Sequence, residues 1–196
     1  KAAELTLNQG TGFDVIRATD GGKVDIDANK VAISGRLYGY GEGSAINLVN
    51  VTSEDANITG IVVESGAAVG LNNTNLKLNT TVGSEDDRAL AIDANQKGSV
   101  TGNGAVNITV NGGDWAAAVE ATHNGNITLG SAELVVNSND GGEAYGINVA
   151  REGIATVNGD FTAKVTGGEW VSGVEACNGS TINLGNGASN VALTAI

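Results

Sequence analysis

Hydrophobic residues recur along the chain in short pairs, an apolar residue, any residue, then a small or apolar one, each closely followed by a Gly-containing turn. The pairs are Ile16/Ala18, Ile46/Leu48, Ile61/Val63, Ile92/Ala94, Val119/Ala121, Ile147/Val149 and Val174/Ala176, with first members 30, 15, 31, 27, 28 and 27 residues apart. Alternation over so few residues predicts a short, half-buried strand at each pair. A second apolar residue follows seven or eight places on, at Val24, Val69, Val100, Ile127, Ile154 and Ile182, and opens a second strand. A third alternating pair comes six to nine residues later: Val31/Ile33, Leu76/Leu78, Val106/Ile108, Leu134/Val136, Phe161/Ala163 and Val191/Leu193.

Three short strands cannot bury their inward side chains alone, whereas stacked coils pair each strand with the one above and below. The pattern therefore predicts an all-β fold, a parallel β-solenoid with three strands per coil and 27–31 residues per coil. Inward columns become ladders of Val, Ile, Ala and Leu, and seven coils make a rod segment roughly 30 Å long. The turn after the first strand carries Gly at a recurring place, as in Asn124-Gly125 and Glu152-Gly153, where positive φ is accepted at little cost. The third turn is the longest and most variable, from Gly35 to Ser44, Thr80 to Arg88, Asn111 to Asp114, Asn137 to Gly142 and Thr166 to Gly168. Variation on one edge is where solenoids usually carry recognition. Residues 46–60 break the period, as a compressed coil or as a loop leaving the stack. The whole of 1–196 reads as one solenoid segment of a longer repeat protein.

Composition supports strands over a conventional core. With 30 Gly, no Pro, no Met and 4% aromatic residues, the apolar set is Val, Ile, Ala and Leu. Disorder also suits a Gly- and Asn-rich acidic chain, but 41% hydrophobic residues in regular alternation oppose it. A net charge of −12 removes the electrostatic drive for nucleic-acid binding. Apolar runs of a few residues fall far short of the roughly 20 that span a bilayer. A single cysteine, Cys177, allows no internal disulfide and no structural zinc site.

The strand-turn-strand repeats Val119-Glu120-Ala121 to Ile127-Thr128-Leu129 and Val174-Glu175-Ala176 to Ile182-Asn183-Leu184, with the Gly, Asn and Thr richness and the acidity, resemble passenger domains of bacterial autotransporters (type V secretion) and filamentous-haemagglutinin-like adhesins. The resemblance covers residues 13–196. It implies a right-handed parallel β-helix, secreted and displayed at the outer membrane for adhesion, aggregation or, less often, enzymatic attack. The β-barrel that such proteins carry at the C-terminus is absent from this sequence, and no functional residue of the family is transferable.

Candidate chemistry collects in the third turn, where Gly-Gly-acid-aromatic recurs: Gly112-Gly113-Asp114-Trp115, Gly141-Gly142-Glu143-Ala144-Tyr145 and Gly167-Gly168-Glu169-Trp170. Tyr38 and Tyr40 fall in the corresponding turn of an earlier coil. Tyr38, Tyr40, Asp114, Trp115, Glu143, Tyr145, Glu169 and Trp170 are the candidate ligand-binding residues, an aromatic and carboxylate platform for a sugar ring or a protein partner. The plainer alternative is an aromatic stack covering a corner of the core. An outward column of Arg17, Asn47, Val62, Asp93, Glu120, Asn148 and Glu175 is read as a solvated acidic face; a Ca²⁺ site is the alternative, without the Gly-Gly-x-Gly-x-Asp nonapeptide that calcium β-rolls use.

No catalytic residue, cofactor or metal is assigned. Asp25 and Asp27 share a strand face, but Gly70, Thr101, Thr128 and Ala155 follow Asp25 in its column and offer no second carboxylate. His123 lacks a nucleophile and reads as a turn residue. The expectation is a non-enzymatic, secreted or cell-surface adhesin or structural stalk that binds a host-cell protein or glycan, or associates between cells. The alternative is a carbohydrate-active β-helix, such as a polysaccharide lyase, glycosidase or phage tailspike fragment, which a cleft of convergent carboxylates across adjacent coils would support.

Overall fold

The computed structural model describes residues 5–8, 14–28, 31–51, 57–81, 88–139 and 141–196. In chain order the strands are β1 (Leu5–Asn8), β2 (Asp14–Thr19), β3 (Lys23–Asp27), β4 (Val31–Tyr40), β5 (Ala45–Val49), β6 (Asn57–Glu64) and β7 (Ala68–Asn72). Next come β8 (Leu76–Thr81), β9 (Arg88–Asn95), β10 (Ser99–Gly102), β11 (Ala105–Asn111), β12 (Trp115–Thr122), β13 (Asn126–Leu129) and β14 (Ser131–Asn137). The last are β15 (Glu143–Ala150), β16 (Ile154–Val157), β17 (Phe161–Thr166), β18 (Trp170–Ala176), β19 (Thr181–Leu184) and β20 (Val191–Ala195). Among the described residues there is no helix, and so none able to cross a membrane.

All strand pairs are parallel, and each strand pairs with its counterpart one coil away, which makes the chain a β-solenoid. Second strands stack as a seven-stranded sheet in the order β3-β5-β7-β10-β13-β16-β19. First strands stack as β2-β4-β6-β9-β12-β15-β18 and third strands as β1-β4-β6-β8-β11-β14-β17-β20. These two ladders merge because β4 and β6 run through the corner: β4 pairs β1 through Val31–Ser34 and β2 through residues 36–40.

The register resolves residues 46–51 and 57–60 of the irregular stretch, while 52–56 lie outside the described residues. Ile16 pairs with Leu37 and Leu37 with Ile61, offsets of 21 and 24 residues, after which Ile61, Ile92, Val119, Ile147 and Val174 follow the expected spacing. Two compact turns thus precede four longer ones. Ile46 and Leu48 are not a first-strand pair; they lie in β5, between Val24/Ile26 and Val69/Leu71 of the second-strand ladder. The first-strand pair of that coil is Leu37/Gly39. It escapes an apolar-residue search because Gly39 stands in the column of Ala18 and Val63, and a Cβ there would come within 3.3 Å of the Ala67 methyl. The span from Gly35 to Ser44 is accordingly strand as far as Tyr40, not a long turn.

Ile154 is also corrected. Its partner is Asn126, it is exposed, and Ala155 takes the inward place opposite Ile127. The register is set by the turn, in which Arg151-Glu152-Gly153 superposes on His123-Asn124-Gly125. In these turns positive φ falls on the two residues before the glycine, His123 and Asn124 or Arg151 and Glu152. Gly125 is needed for closeness: a Cβ there would lie 2.0 Å from the Ala94 carbonyl oxygen of the coil below. With Thr156 rather than Ala155 outward, the column of Asp25 runs Asn47, Gly70, Thr101, Thr128, Thr156 and Asn183. Asn47 Nδ2 donates to Asp25 Oδ1 at 2.6 Å, so this carboxylate caps a polar ladder.

Inside the rod, columns alternate bulk to fit. Phe161, fully buried, stacks on Ala132 below and Val191 above.

Candidate ligand-binding face

The outer side of the first-strand ladder carries the polar chemistry. Pairing along β9, β12, β15 and β18 skips Ala91, Ala118, Gly146 and Gly173 in turn, so each strand has a break at one level. Residues on either side form two outward columns. One reads Arg88, Trp115, Glu143, Trp170; the other reads Arg17, Tyr38, Val62, Asp93, Glu120, Asn148, Glu175. Tyr38 takes the place assigned to Asn47 in sequence, for the register reason given above. Along the second column, towards the His123 and Arg151 turns, lies a cleft of about 320 Å³ bordered by Arg88, Asp93, Trp115, Glu120, His123, Asn148 and Arg151 among others.

Glu120 corrects the expectation of a solvated acidic column, because it is only 5% exposed. Arg88 Nη2 donates to Oε1 at 2.9 Å and to Oε2 at 2.8 Å, and the Trp115 indole Nε1 donates to Oε2 at 3.2 Å. The Arg88 guanidinium also sits 5.5 Å from the centroid of the Trp115 ring. Trp115, Arg88 and Glu120 are thus one closed unit, with attraction between the cation and both its partners strengthened by partial burial. Asp93, the ladder partner of Glu120, is pushed up to about 7, first by burial, then by the neighbouring Glu120 charge, with Arg88 opposing. Its Oδ1 is buried without a hydrogen-bond partner.

The candidate residues divide. Trp115 and Tyr145 pack together with ring centroids 4.8 Å apart, and Tyr145 is only 4% exposed. The Tyr145 hydroxyl donates to Glu143 Oε2 at 2.6 Å; burial first, then this bond, raises its pKa. Trp170 lies two strands from Trp115 in the same column, 60% exposed, and its Nε1 donates to Glu175 Oε2 at 3.2 Å. Asp114 and Glu169 are exposed turn residues beside these strands. Tyr38 and Tyr40 lie in β4, three ladder steps from β12, or roughly 14 Å away. Their rings stack in near-parallel planes at 6.4 Å, Arg17 and Arg36 flank Tyr38 at 5.1 and 5.3 Å, and the Tyr38 hydroxyl donates to Glu64 Oε2. Burial and Glu64 raise the Tyr38 pKa.

Sequence reasoning missed Arg88. The signal was present: Trp and Glu five residues apart recur at Trp115/Glu120 and Trp170/Glu175, and Arg88 stands one repeat of 27 residues before Trp115. His123 sits in its turn as expected, accepting a hydrogen bond on Nε2 from Arg151 Nη1 at 2.7 Å. Among the described residues no three His, Cys, Asp or Glu side chains converge to hold a metal ion. Compared with protein families, curated proteins and solved structures, the chain matches none of them.

Proposed function

We propose that the chain is a cell-surface β-solenoid of the autotransporter-passenger or filamentous-haemagglutinin-like type, secreted and displayed as an adhesin or stalk. It engages a host-cell protein or glycan, or a neighbouring cell, with the outer face of β12, β15 and β18. The observation that carries this reading is the outward column Arg88, Trp115, Glu143 and Trp170, which sets two indoles among charged side chains along one line of the ladder. Each indole is held by a carboxylate five residues on, Trp115 by Glu120 and Trp170 by Glu175, so both rings are preoriented. Large, preoriented aromatic surface of this kind typically anchors an interface.

The test is binding of the purified chain to host-cell surfaces, extracellular-matrix proteins and immobilised glycans. Trp170→Ala is expected to weaken binding about tenfold or more, as loss of an anchoring aromatic does, with the far-ultraviolet spectrum unchanged. Undiminished binding by that variant rules out this face. The carbohydrate-cleaving alternative has less support, because both oxygens of Glu120 are engaged by Arg88 and Trp115 and not free to attack a sugar. Release of reducing ends from a bound polysaccharide would revive it.

A further inference from the structure

Four polar side chains on this face line one cleft and have no hydrogen-bond partner among the described residues: Asp93, Asn95, Thr122 and Asn148. Asp93 and Asn95 point outward from β9, Glu120 and Thr122 stand opposite them on β12, and Asn148 stands opposite Glu120 on β15. Asn148 is 5% exposed and Thr122 9%, and Asn95 Oδ1 is buried without a partner, as Asp93 Oδ1 is. Glu120, in contrast, is closed off by Arg88 and Trp115. The strands that carry the cleft have β6 before β9 and β18 after β15, so it opens on the flank of the rod and not at an end. Unpartnered buried polar groups destabilise a fold, and several around one cleft point to a ligand that completes their bonding.

We infer that this cleft holds one neutral sugar unit of a glycan, whose ring hydroxyls bond Asp93, Asn95, Thr122 and Asn148. The two orphaned atoms are acceptor oxygens, while the Thr122 hydroxyl and the Asn148 amide each donate and accept. A hydroxyl also does both, so a polyol satisfies all four side chains. A cation satisfies only the oxygens, and an anion only the donors. Charge leads to the same ligand class: Arg88 and Arg151 balance Asp93 and Glu120 around the cleft, so no net charge selects an ion. By strand geometry the outward positions lie roughly 7 Å apart along a strand and about 5 Å apart between strands, the span of a single sugar ring. Trp115 and Ala150 add an apolar border that the carbon face of such a ring can meet. The inference rests on the adhesive reading of this face and chooses a glycan over a protein as its partner.

The Trp115 indole N–H resonance, assigned with Trp170→Phe, reports on the cleft directly. The probes are the methyl glycosides of glucose, galactose, mannose and N-acetylglucosamine, and at least one should move that signal saturably. N-acetylneuraminic acid and glucose 6-sulfate, which carry charge, should bind more weakly. Asn148→Leu, which keeps the approximate shape and removes the amide, should weaken sugar binding about fivefold or more, the scale of one lost hydrogen bond. Its melting temperature should hold or rise, because no hydrogen bond within the protein is lost. Thr122→Val, which removes only a hydroxyl, should weaken binding in the same direction and carries the test where Asn148→Leu fails to fold. No saturable shift with any of the four glycosides, tighter binding of either charged sugar, or undiminished binding by the folded variants overturns the proposal. A trisaccharide of the sugar that binds separates a glycan chain from a free sugar: binding at least as tight as that of the methyl glycoside supports a glycan, and weaker binding overturns that part. Surface adhesion measured on the same variants keeps the two readings apart. Adhesion lost in Trp170→Ala but unaffected by Asn148→Leu removes the sugar cleft alone, whereas sugar binding without any adhesion removes the adhesive reading alone.

Discussion

Asp93 carries the largest unsatisfied electrostatic cost on this face, since Glu120 beside it in the ladder is already matched by Arg88 and its own Oδ1 is buried and unpartnered. Its pKa rises from 3.8 to about 7 through burial and the Glu120 charge. The folded chain consequently holds this proton more tightly than the unfolded chain. Stability from Asp93 is full below about pH 4, falls as pH climbs towards 7, and stays low above that, opposite to an ion-paired carboxylate. At 1.36 kcal/mol per unit the whole effect is at most about 4 kcal/mol. Asp93→Asn, which keeps the shape without the charge, should raise the melting temperature at pH 8, change it little at pH 4, and flatten the slope between. Thermal melts of both proteins at the two pH values decide this; a lower melting temperature for the variant at pH 8 would show that the charged form is stabilising. None of this was legible from the column Asp93, Glu120, Asn148, Glu175, which reads as outward and solvated by alternation alone. What buries it is Arg88 and Trp115 folding over the strand, a long-range contact that no spacing rule states.

At the scale of the strand and its turn, legibility followed residue size. Coils from β6 onward were readable because Ile or Val marks each first strand, except at β16, where Ile154, a strong strand former, turns outward; the earlier coils were misassigned where Gly39 replaces a side chain. The turn decides for Ile154, because its backbone stacks on the coil below: Ile154 N donates to Gly125 O, as Asn126 N does to Gly98 O. That stacking leaves no room for a methyl at Gly125, with the Ala94 carbonyl 2.0 Å from where it would lie. Gly125→Ala should cost about 3 kcal/mol, the upper range for forcing backbone apart in a packed site. Denaturant unfolding monitored by circular dichroism measures it. A loss below about 0.5 kcal/mol, typical of an unconstrained surface site, would mean the turns do not clamp the ladder register.

For the molecule as a whole, connectivity between neighbouring coils governs how damage spreads. Each strand hydrogen-bonds the coil before and the coil after, so stability is a chain of nearest-neighbour terms and not a single cooperative sum. β20 pairs β17, and β17 in turn pairs β14. Phe161 of β17 is, among the described residues, the largest fully buried side chain and the link between Ala132 and Val191. Phe161→Ala should remove about 3–5 kcal/mol, the usual cost of truncating a buried phenylalanine. In a one-dimensional stack the loss stays local. Hydrogen exchange should therefore accelerate in β17 and β20, less in β14, and remain at the parent rate in β7 and β10, three and two rungs towards the other end. Equal acceleration across all strands would instead mean that the rod unfolds as one unit. In that event the outer face of β12, β15 and β18 would share the stability of the distant coils, whereas a local response would tie each part of that face to the coils directly before and after it.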